Sequence, residues 1–212
     1  MSISQRRLSL AAGLVPGLIL LSACASGPGD SPAPTSTATP VWGAIEVSPS
    51  EGRVIGVGTV LDESGSVQLC LGAVMESYPP QCLGIPVDGW TWDGVDGSES
   101  SGATRWGSYA VYGTYDGERY TITDPPIMLA LYDTVAPEDP TGGIDGTTAD
   151  DELARIQDEV SAGFGDDALT LGIERGYLWV QVVWDDGTLQ DAADDAYDEG
   201  VVIVTSALRE ID

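Results

Sequence analysis

Short apolar runs separated by glycine and acidic residues constrain the fold of the first half of this chain. Residues 54–61 and 67–71 are β-branched or apolar runs. They are joined by residues 62–66, a loop of hairpin length between two segments that have strand composition. This pattern predicts two antiparallel strands at the start of an all-β region.

A second hairpin signal lies further along the chain. Residues 106–115 and 119–123 flank Asp116-Gly117, and glycine tolerates the positive φ that a tight hairpin turn needs. Residues 127–132 supply one more apolar run that could close the sheet. Five or six strands within residues 41–133 predict a small all-β barrel or sandwich.

The apolar pattern changes its period in residues 147–212. Thr148 and Asp151 resemble a capping box, and they precede apolar residues at helical spacing, namely Leu153, Ile156 and Val160. Two strands, a second helix after Asp185-Asp186-Gly187 and a last strand at residues 201–205 follow. The order α-β-β-α-β predicts an α+β chain whose second domain is a ferredoxin-like two-layer α/β sandwich, with residues 127–132 as the candidate for its missing strand.

Composition shifts divide the chain into five segments. The segments between the two predicted domains and before them are rich in proline, glycine, serine and threonine, which cannot bury enough surface to order the chain. The predicted organisation is a signal peptide at residues 1–23, a lipidated cysteine with a disordered linker at 24–40, the all-β domain at 41–133, a linker at 134–146 and the α/β domain at 147–212.

The N-terminus has the order of a secretory signal. Arg6 and Arg7 precede the mostly apolar residues 8–21, a run that is short for a membrane span. Residues 21–24 read LSAC and resemble a bacterial lipobox, which predicts cleavage before Cys24 and diacylglycerol on its thiol. The chain is then held at the extracytoplasmic face of the cell membrane. Cleavage by the general signal peptidase is the alternative. Sec export is favoured over Tat export, because Ser9 stands where a Tat signal with this arginine pair would have an apolar residue.

The charge of the chain excludes several functions. It carries 34 acidic residues against 8 basic ones, a formal charge of −26, and it contains no lysine, histidine or asparagine. Nucleic acid is therefore excluded as a partner, because lysine and arginine neutralise phosphates in such complexes. Without histidine there is no Ser-His-Asp triad and no metal site built on histidine pairs.

Cys70 and Cys82 are predicted to form a disulfide, because an exported chain enters an oxidising compartment. Two free or metal-binding thiols are the alternative. Tyr78 lies between the cysteines, and we expect it to pack over the disulfide rather than to form a binding surface.

The remaining candidate sites are weaker. Trp90 and Trp92 could form a sugar platform, but core packing is the favoured interpretation. The acidic residues near Asp93 lack the spacing of an EF-hand calcium loop, and the acidic residues 191–199 read as a solvated helix face. We predict no catalytic, cofactor-binding or metal-binding residue.

Two segments resemble sequences that recur in one group of proteins. They are LCLGAV-x-ESYPPQC at residues 69–82 and RGYLWV-x-VVWDDGTLQ at residues 175–190. Both are similar to segments of actinobacterial secreted and lipid-anchored proteins, and the resemblance implies a cell-envelope lipoprotein without supplying an activity. The absence of lysine and asparagine would also suit a haloarchaeal protein.

The sequence thus favours a non-catalytic binding or structural module, anchored in the membrane by its lipid, whose partner is another envelope protein or a glycan. The alternative is an extracytoplasmic hydrolase that uses an acidic residue pair.

Overall fold

The computed structural model describes residues 42–211. The predicted signal peptide at residues 1–23, Cys24 and the linker up to residue 40 lie outside the described residues. Residues 42–211 form thirteen strands and two α-helices, in the order β1 (Arg53–Glu63), β2 (Ser66–Cys70), β3 (Val74–Met75), β4 (Gln81–Cys82), β5 (Ile85–Asp88), β6 (Glu99–Ser101), β7 (Thr104–Tyr115), β8 (Tyr120–Ile122), β9 (Ile127–Met128), α1 (Asp150–Phe164), β10 (Ala168–Glu174), β11 (Tyr177–Val182), α2 (Thr188–Tyr197), β12 (Val202–Ser206) and β13 (Arg209–Ile211).

Five strands close into a small barrel. Their order is β1-β2-β5-β8-β7, and β7 pairs back onto β1 from Val54↔Gly113 to Glu63↔Thr104. All pairs in the ring are antiparallel except β5 with β8. The strands β6, β9 and β13 extend the same sheet outside the ring. The prediction allowed a barrel or a sandwich, and the structure shows the barrel; the described residues taken together are α+β.

The barrel interior is filled from alternate strand positions. On β7, Tyr109 and Val111 point into it, and the Tyr109 hydroxyl donates to the carbonyl of Asp96 at 2.9 Å. The hydroxyl of Tyr120 lies at 2.9 Å from the carbonyl of Val54 and at 2.7 Å from that of Val111. Because a buried hydroxyl needs a partner, these contacts keep two large aromatic rings in a dry core. The other buried members of this core are Val54, Val60, Leu69, Val87, Tyr115 and Leu208.

The hairpins differ in detail from those expected. The strands β1 and β2 extend into the expected loop 62–66 and leave only Ser64 and Gly65 to turn, with φ of 57° and 92°. The Asp116-Gly117 hairpin is present, and its Asp116 carboxylate accepts the N–H groups of Glu118 and Arg119. Within residues 127–132, Ile127–Met128 forms the short strand β9 and Leu129–Leu131 forms a 3-10 turn; β9 pairs with β7 and not with the second sheet.

The second half is a three-stranded sheet with two helices. The strand order is β10-β11-β12, in which β10 is antiparallel and β12 parallel to β11. Helix α1 buries Leu153, Ile156, Val160 and Phe164 on one face. Its N-cap is Ala149 without a side-chain cap, so the capping box expected at Thr148 is not formed.

The ferredoxin-like arrangement is not confirmed. In a split βαβ unit another strand separates the two parallel strands. Here β11 and β12 pair directly, from Leu178↔Val202 to Val182↔Ser206. The outer edge of β12 is capped by the side chain of Gln190, which donates to the carbonyl of Val202 at 3.0 Å and accepts from the N–H of Val204 at 2.8 Å.

Each half of the described chain contributes a terminal segment to the core of the other half. Trp42, which precedes the barrel, is 2% exposed and packs in the core of the second half, where its ring stacks on Phe164 at 4.6 Å. Conversely, β13 at the C-terminus pairs with β1 and Leu208 enters the barrel core. The described residues thus lie in one compact unit. The domain boundaries at residues 133 and 147 stay a prediction. No helix within residues 42–211 has the length and apolar character needed to cross a membrane.

Candidate ligand-binding cleft

A cleft of about 400 Å³ opens between the barrel and the second half. Sites for small molecules commonly have this size. The barrel contributes Leu69, Leu71, Leu83, Ile85, Tyr115 and Gly117 to its lining. The second half contributes Phe164, Asp166, Asp167, Leu169, Val182, Trp184 and Leu189. We refer to this space as the cleft.

The third wall of the cleft is the chain segment that follows Trp42. Gly43, Ile45 and Val47 line the cleft. The next residue, Ser48, is held by hydrogen bonds at both its carbonyl and its N–H. The indole N–H of Trp184 donates to the carbonyl of Ser48 at 2.9 Å, and the N–H of Ser48 donates to the Asp186 carboxylate at 2.9 Å. The cleft is therefore walled by residues that come from distant parts of the sequence.

Two carboxylates stand at the mouth of this apolar cleft. Asp166 and Asp167 are exposed and lie in the 3-10 turn Gly165–Asp167 that directly follows α1. A helix carries partial negative charge at its C-terminal end, where basic residues are favoured. The last turn of α1 has no basic residue, and no arginine is among the residues that line the cleft. The mouth therefore has a concentrated negative potential.

Tyr115 is a buried residue in the lining of the cleft. Burial, together with the negative charges of Asp116 and Asp167, raises the pKa of Tyr115 to about 12. Its hydroxyl donates to the carbonyl of Gly117 at 2.7 Å. The phenol therefore keeps its proton at neutral pH and stays hydrogen-bonded to Gly117, so it does not act as a base.

The Cys70–Cys82 disulfide is present, which confirms the expected pairing, and it joins β2 to β4 with Cα atoms 6.0 Å apart. The loop that it closes carries exposed apolar side chains. Met75 is 62% exposed and Tyr78 is 69% exposed, while Leu83, just after the loop, is 71% exposed and lies on the rim of the cleft. The Tyr78 ring meets Trp106 edge-on at 5.3 Å, so its exposed ring favours a surface role over the expected packing on the disulfide.

Trp90 and Trp92 pack against the barrel core, as their favoured interpretation requires. Their rings lie 5.0 Å apart, and both lie against Tyr109. The indole N–H of Trp92 donates to Asp62, and the Arg105 guanidinium lies over its ring at 4.5 Å. This geometry leaves neither ring free as an open sugar platform.

The acidic residues do not assemble a recognisable catalytic or metal centre in the described part of the chain. Over residues 42–211, no group of three or more acidic or cysteine side chains is placed to hold a metal ion. Where the fold displaces the pKa of a carboxyl group, the displacement is downward, as at Asp88, Asp116, Asp139, Glu152 and Asp186. A general acid needs a raised pKa, so these groups give the hydrolase alternative no support.

The hydrogen bond from the N–H of Ser48 to the Asp186 carboxylate in the third wall depends on pH. Hydrogen bonds from Thr188, and then from the N–H of Ser48, hold the pKa of Asp186 below its usual value of 3.8. Because the folded-state pKa lies below the unfolded-state value, ionised Asp186 stabilises the fold above pH 3.8. This contribution is lost as the pH falls through the folded-state pKa.

We expect Asp186→Asn to lower the free energy of unfolding at neutral pH, and this difference from wild type to shrink below about pH 4. Urea unfolding of both proteins across an acid series measures it. Asp195→Asn is the matched control, because the Asp195 side chain is exposed and makes no hydrogen bond within residues 42–211. A difference that stays constant down to about pH 2 would show that the ionised form of Asp186 contributes nothing.

Comparison of the chain with protein-family models, with curated proteins and with solved structures gives no match. The residues that line the cleft were not predicted as site residues. The one signal in the sequence was the pair Asp166-Asp167 directly after a helix-ending glycine, where a basic residue is the favoured choice.

Proposed function

We propose that this chain is a non-catalytic binding module of the cell envelope, anchored in the membrane by a lipid on Cys24. The observation that carries the proposal is the cleft, which is lined mainly by apolar side chains, open to solvent and of small-molecule size. The chain has no histidine, and its two described cysteines are joined to each other. The usual general base and a thiol nucleophile are thus both missing from residues 42–211.

The anchor is proposed from the sequence alone, through the signal-like N-terminus and the LSAC motif at residues 21–24. Resemblance to actinobacterial secreted lipoproteins at residues 69–82 and 175–190 supports the same location. The described chain starts at Trp42, which lies in the wall of the cleft. Residues 25–41 separate the proposed anchor from Trp42, so we place the cleft close to the membrane surface in this proposal.

The topology of the barrel supports a binding role by analogy. Along the chain, the third and fifth strands of the ring, β5 and β8, pair in parallel, as in the five-stranded Greek-key barrel of OB-folds. Those barrels bind oligonucleotides and oligosaccharides on the second and third strands and on the loops that join strands one and two and strands four and five. Of the equivalent elements here, β2, β5 and the Asp116-Gly117 hairpin line the cleft or adjoin it, whereas the Ser64-Gly65 turn is not part of its lining. Fold alone does not fix the ligand, and the acidic charge argues against nucleic acid.

We expect Cys24→Ala to move the protein from the membrane fraction to the soluble fraction without changing its unfolding midpoint. The reason is that the lipid would be attached outside residues 42–211, which hold both described cores. Fractionation of cells, with metabolic labelling by a fatty-acid analogue, measures the change, and Ser26→Ala is the control. Unchanged membrane fractionation of the Cys24 variant would overturn the anchor.

The binding role is tested by recovery of a partner from detergent-solubilised envelopes on the immobilised full chain. We expect Leu83→Arg to lose what the wild type retains, because the substitution adds a bulky charge at the rim of the cleft. Leu131→Arg is the matched control, since Leu131 is 74% exposed and lies outside the cleft lining. Equal loss in both variants, or no specific recovery by the wild type, would count against the cleft as the binding site.

A further inference from the structure

The charges around the cleft are strongly one-sided. Asp166 and Asp167 are the only charged side chains in its lining within the described residues, and they add to the negative end of α1. Neither carboxylate is in an ion pair or a side-chain hydrogen bond within residues 42–211. Two adjacent carboxylates at the end of a helix repel each other and the helix dipole, so a cation bound there would relieve the repulsion.

The protein does not supply that cation from the described part of the chain. Every arginine within residues 42–211 is engaged elsewhere. Arg53 pairs with Asp124, Arg119 with Asp88, Arg155 with Glu152 and Glu159, and Arg175 with Asp139, while Arg105 donates to Ser98 and Arg209 to the carbonyl of Val135. Lysine and histidine are absent from the whole sequence.

The inner walls of the cleft suit an apolar ligand. Leu71, Ile85 and Leu169 supply aliphatic surface, and Tyr115, Phe164 and Trp184 supply aromatic rings. Aromatic rings next to carboxylates are the surroundings in which proteins hold ammonium and quaternary ammonium groups. A ligand whose apolar part lies in the cleft would have room for a cationic group near Asp166 and Asp167 at the mouth.

We propose that the cleft binds small amphipathic cations, in which an aliphatic or aromatic body carries an ammonium or guanidinium group that pairs with Asp166 and Asp167. This inference rests on the proposed function, because it names the ligand class of the same cleft. Fatty acids, phospholipid phosphates and other anionic amphipaths are disfavoured, since their charge would face two unpaired carboxylates.

Three probes with the same alkyl body and different head groups test the proposal. Octyltrimethylammonium, octyl glucoside and octyl sulfate are titrated into the full chain below their micelle concentrations. Calorimetry and the fluorescence of Trp42 and Trp184, which line the cleft, report binding. We expect the cation to bind most tightly and the anion most weakly.

Charge variants separate the cleft from the acidic surface as a whole. We expect Asp166→Asn/Asp167→Asn to weaken octyltrimethylammonium about tenfold, as two partly exposed charge contacts of about threefold each would, and to leave octyl glucoside unchanged. Asp195→Asn/Glu199→Gln removes the same charge outside the cleft lining and should leave all three affinities unchanged. Both pairs are exposed, so the variants are expected to fold, and their melting curves check this.

The outcomes separate the two proposals. Equal weakening by both double variants would assign the cation to diffuse surface charge and overturn the inference. Equal binding of all three probes, abolished by Leu83→Arg, would retain the binding cleft but reject the cationic ligand class. Failure of every probe to bind would count against the cleft as a binding site at all.

Discussion

Replacing Gly58 by alanine is expected to lower the free energy of unfolding by about 3 kcal/mol, at the upper end of the cost of overpacking. A Cβ at this position would collide with the carbonyl of Cys70 in the neighbouring strand β2. Gly58 also pairs with Tyr109 of β7, so both of its neighbours belong to the closed ring. Because the obstacle is backbone and not a flexible side chain, relief requires moving a strand of the barrel.

Gly172→Ala is the matched control for this prediction. Gly172 also lies within a strand, β10, but a Cβ there would meet nothing within 4 Å. Its substitution should be neutral or slightly stabilising, since alanine restricts the unfolded chain more than glycine does. Urea unfolding of the three proteins measures the difference. Similar midpoints for both variants would show that the barrel can open at Gly58 at little cost.

The strands of the barrel were predictable because their signals are local. Alternation and turn glycines marked most of β1, β2, β7 and β8 in the sequence, and the two cysteines in a chain predicted to be exported indicated their disulfide. Closure of the ring was not predictable in the same way. It depends on the pairing of β1 with β7, which joins strands that are distant in the sequence.

The exchange of chain ends left almost no local signal. The three residues of β13 are too few to show a strand period, yet they pair with β1 as Arg53↔Ile211 to Ile55↔Arg209. Trp42 falls within the all-β domain predicted at residues 41–133, and it packs in the other core. Short and isolated segments of this kind are directed by the surface that receives them rather than by their own pattern.

The cleft was missed for a related reason. Its walls come from β2 and β5 of the barrel, the end of α1, the segment after β11 and the residues after Trp42. A cavity between packed halves exists only once both are folded, so no single stretch of sequence encodes it. Asp166 and Asp167 stood out only as a pair of acids after a helix-ending glycine, and in a chain with 34 acidic residues that signal alone does not place them at a cleft.

Removing the disulfide by Cys70→Ala/Cys82→Ala is expected to lower the free energy of unfolding by about 2–4 kcal/mol. The crosslink closes a loop with a sequence separation of 12, and its loss gives the unfolded chain additional freedom. Mass spectrometry of the unreduced protein should find the two cysteine peptides joined. Alkylation of both thiols without a reductant would contradict the pairing.

Urea unfolding separates the stability that the crosslink contributes from the stability that the side chains of its loop contribute. Reduced wild-type protein should unfold at the same urea concentration as the double variant, because both lack the same constraint. Met75→Ala, in the same loop but with a side chain that is 62% exposed, should unfold like the oxidised wild type. The barrel should survive in the double variant, because β2 remains paired with β1 and β5 on its two sides. Stability equal to that of the oxidised wild type would mean that the unfolded chain gains no freedom when the bond is absent, and the crosslink would then serve only to hold Met75 and Tyr78 at the surface.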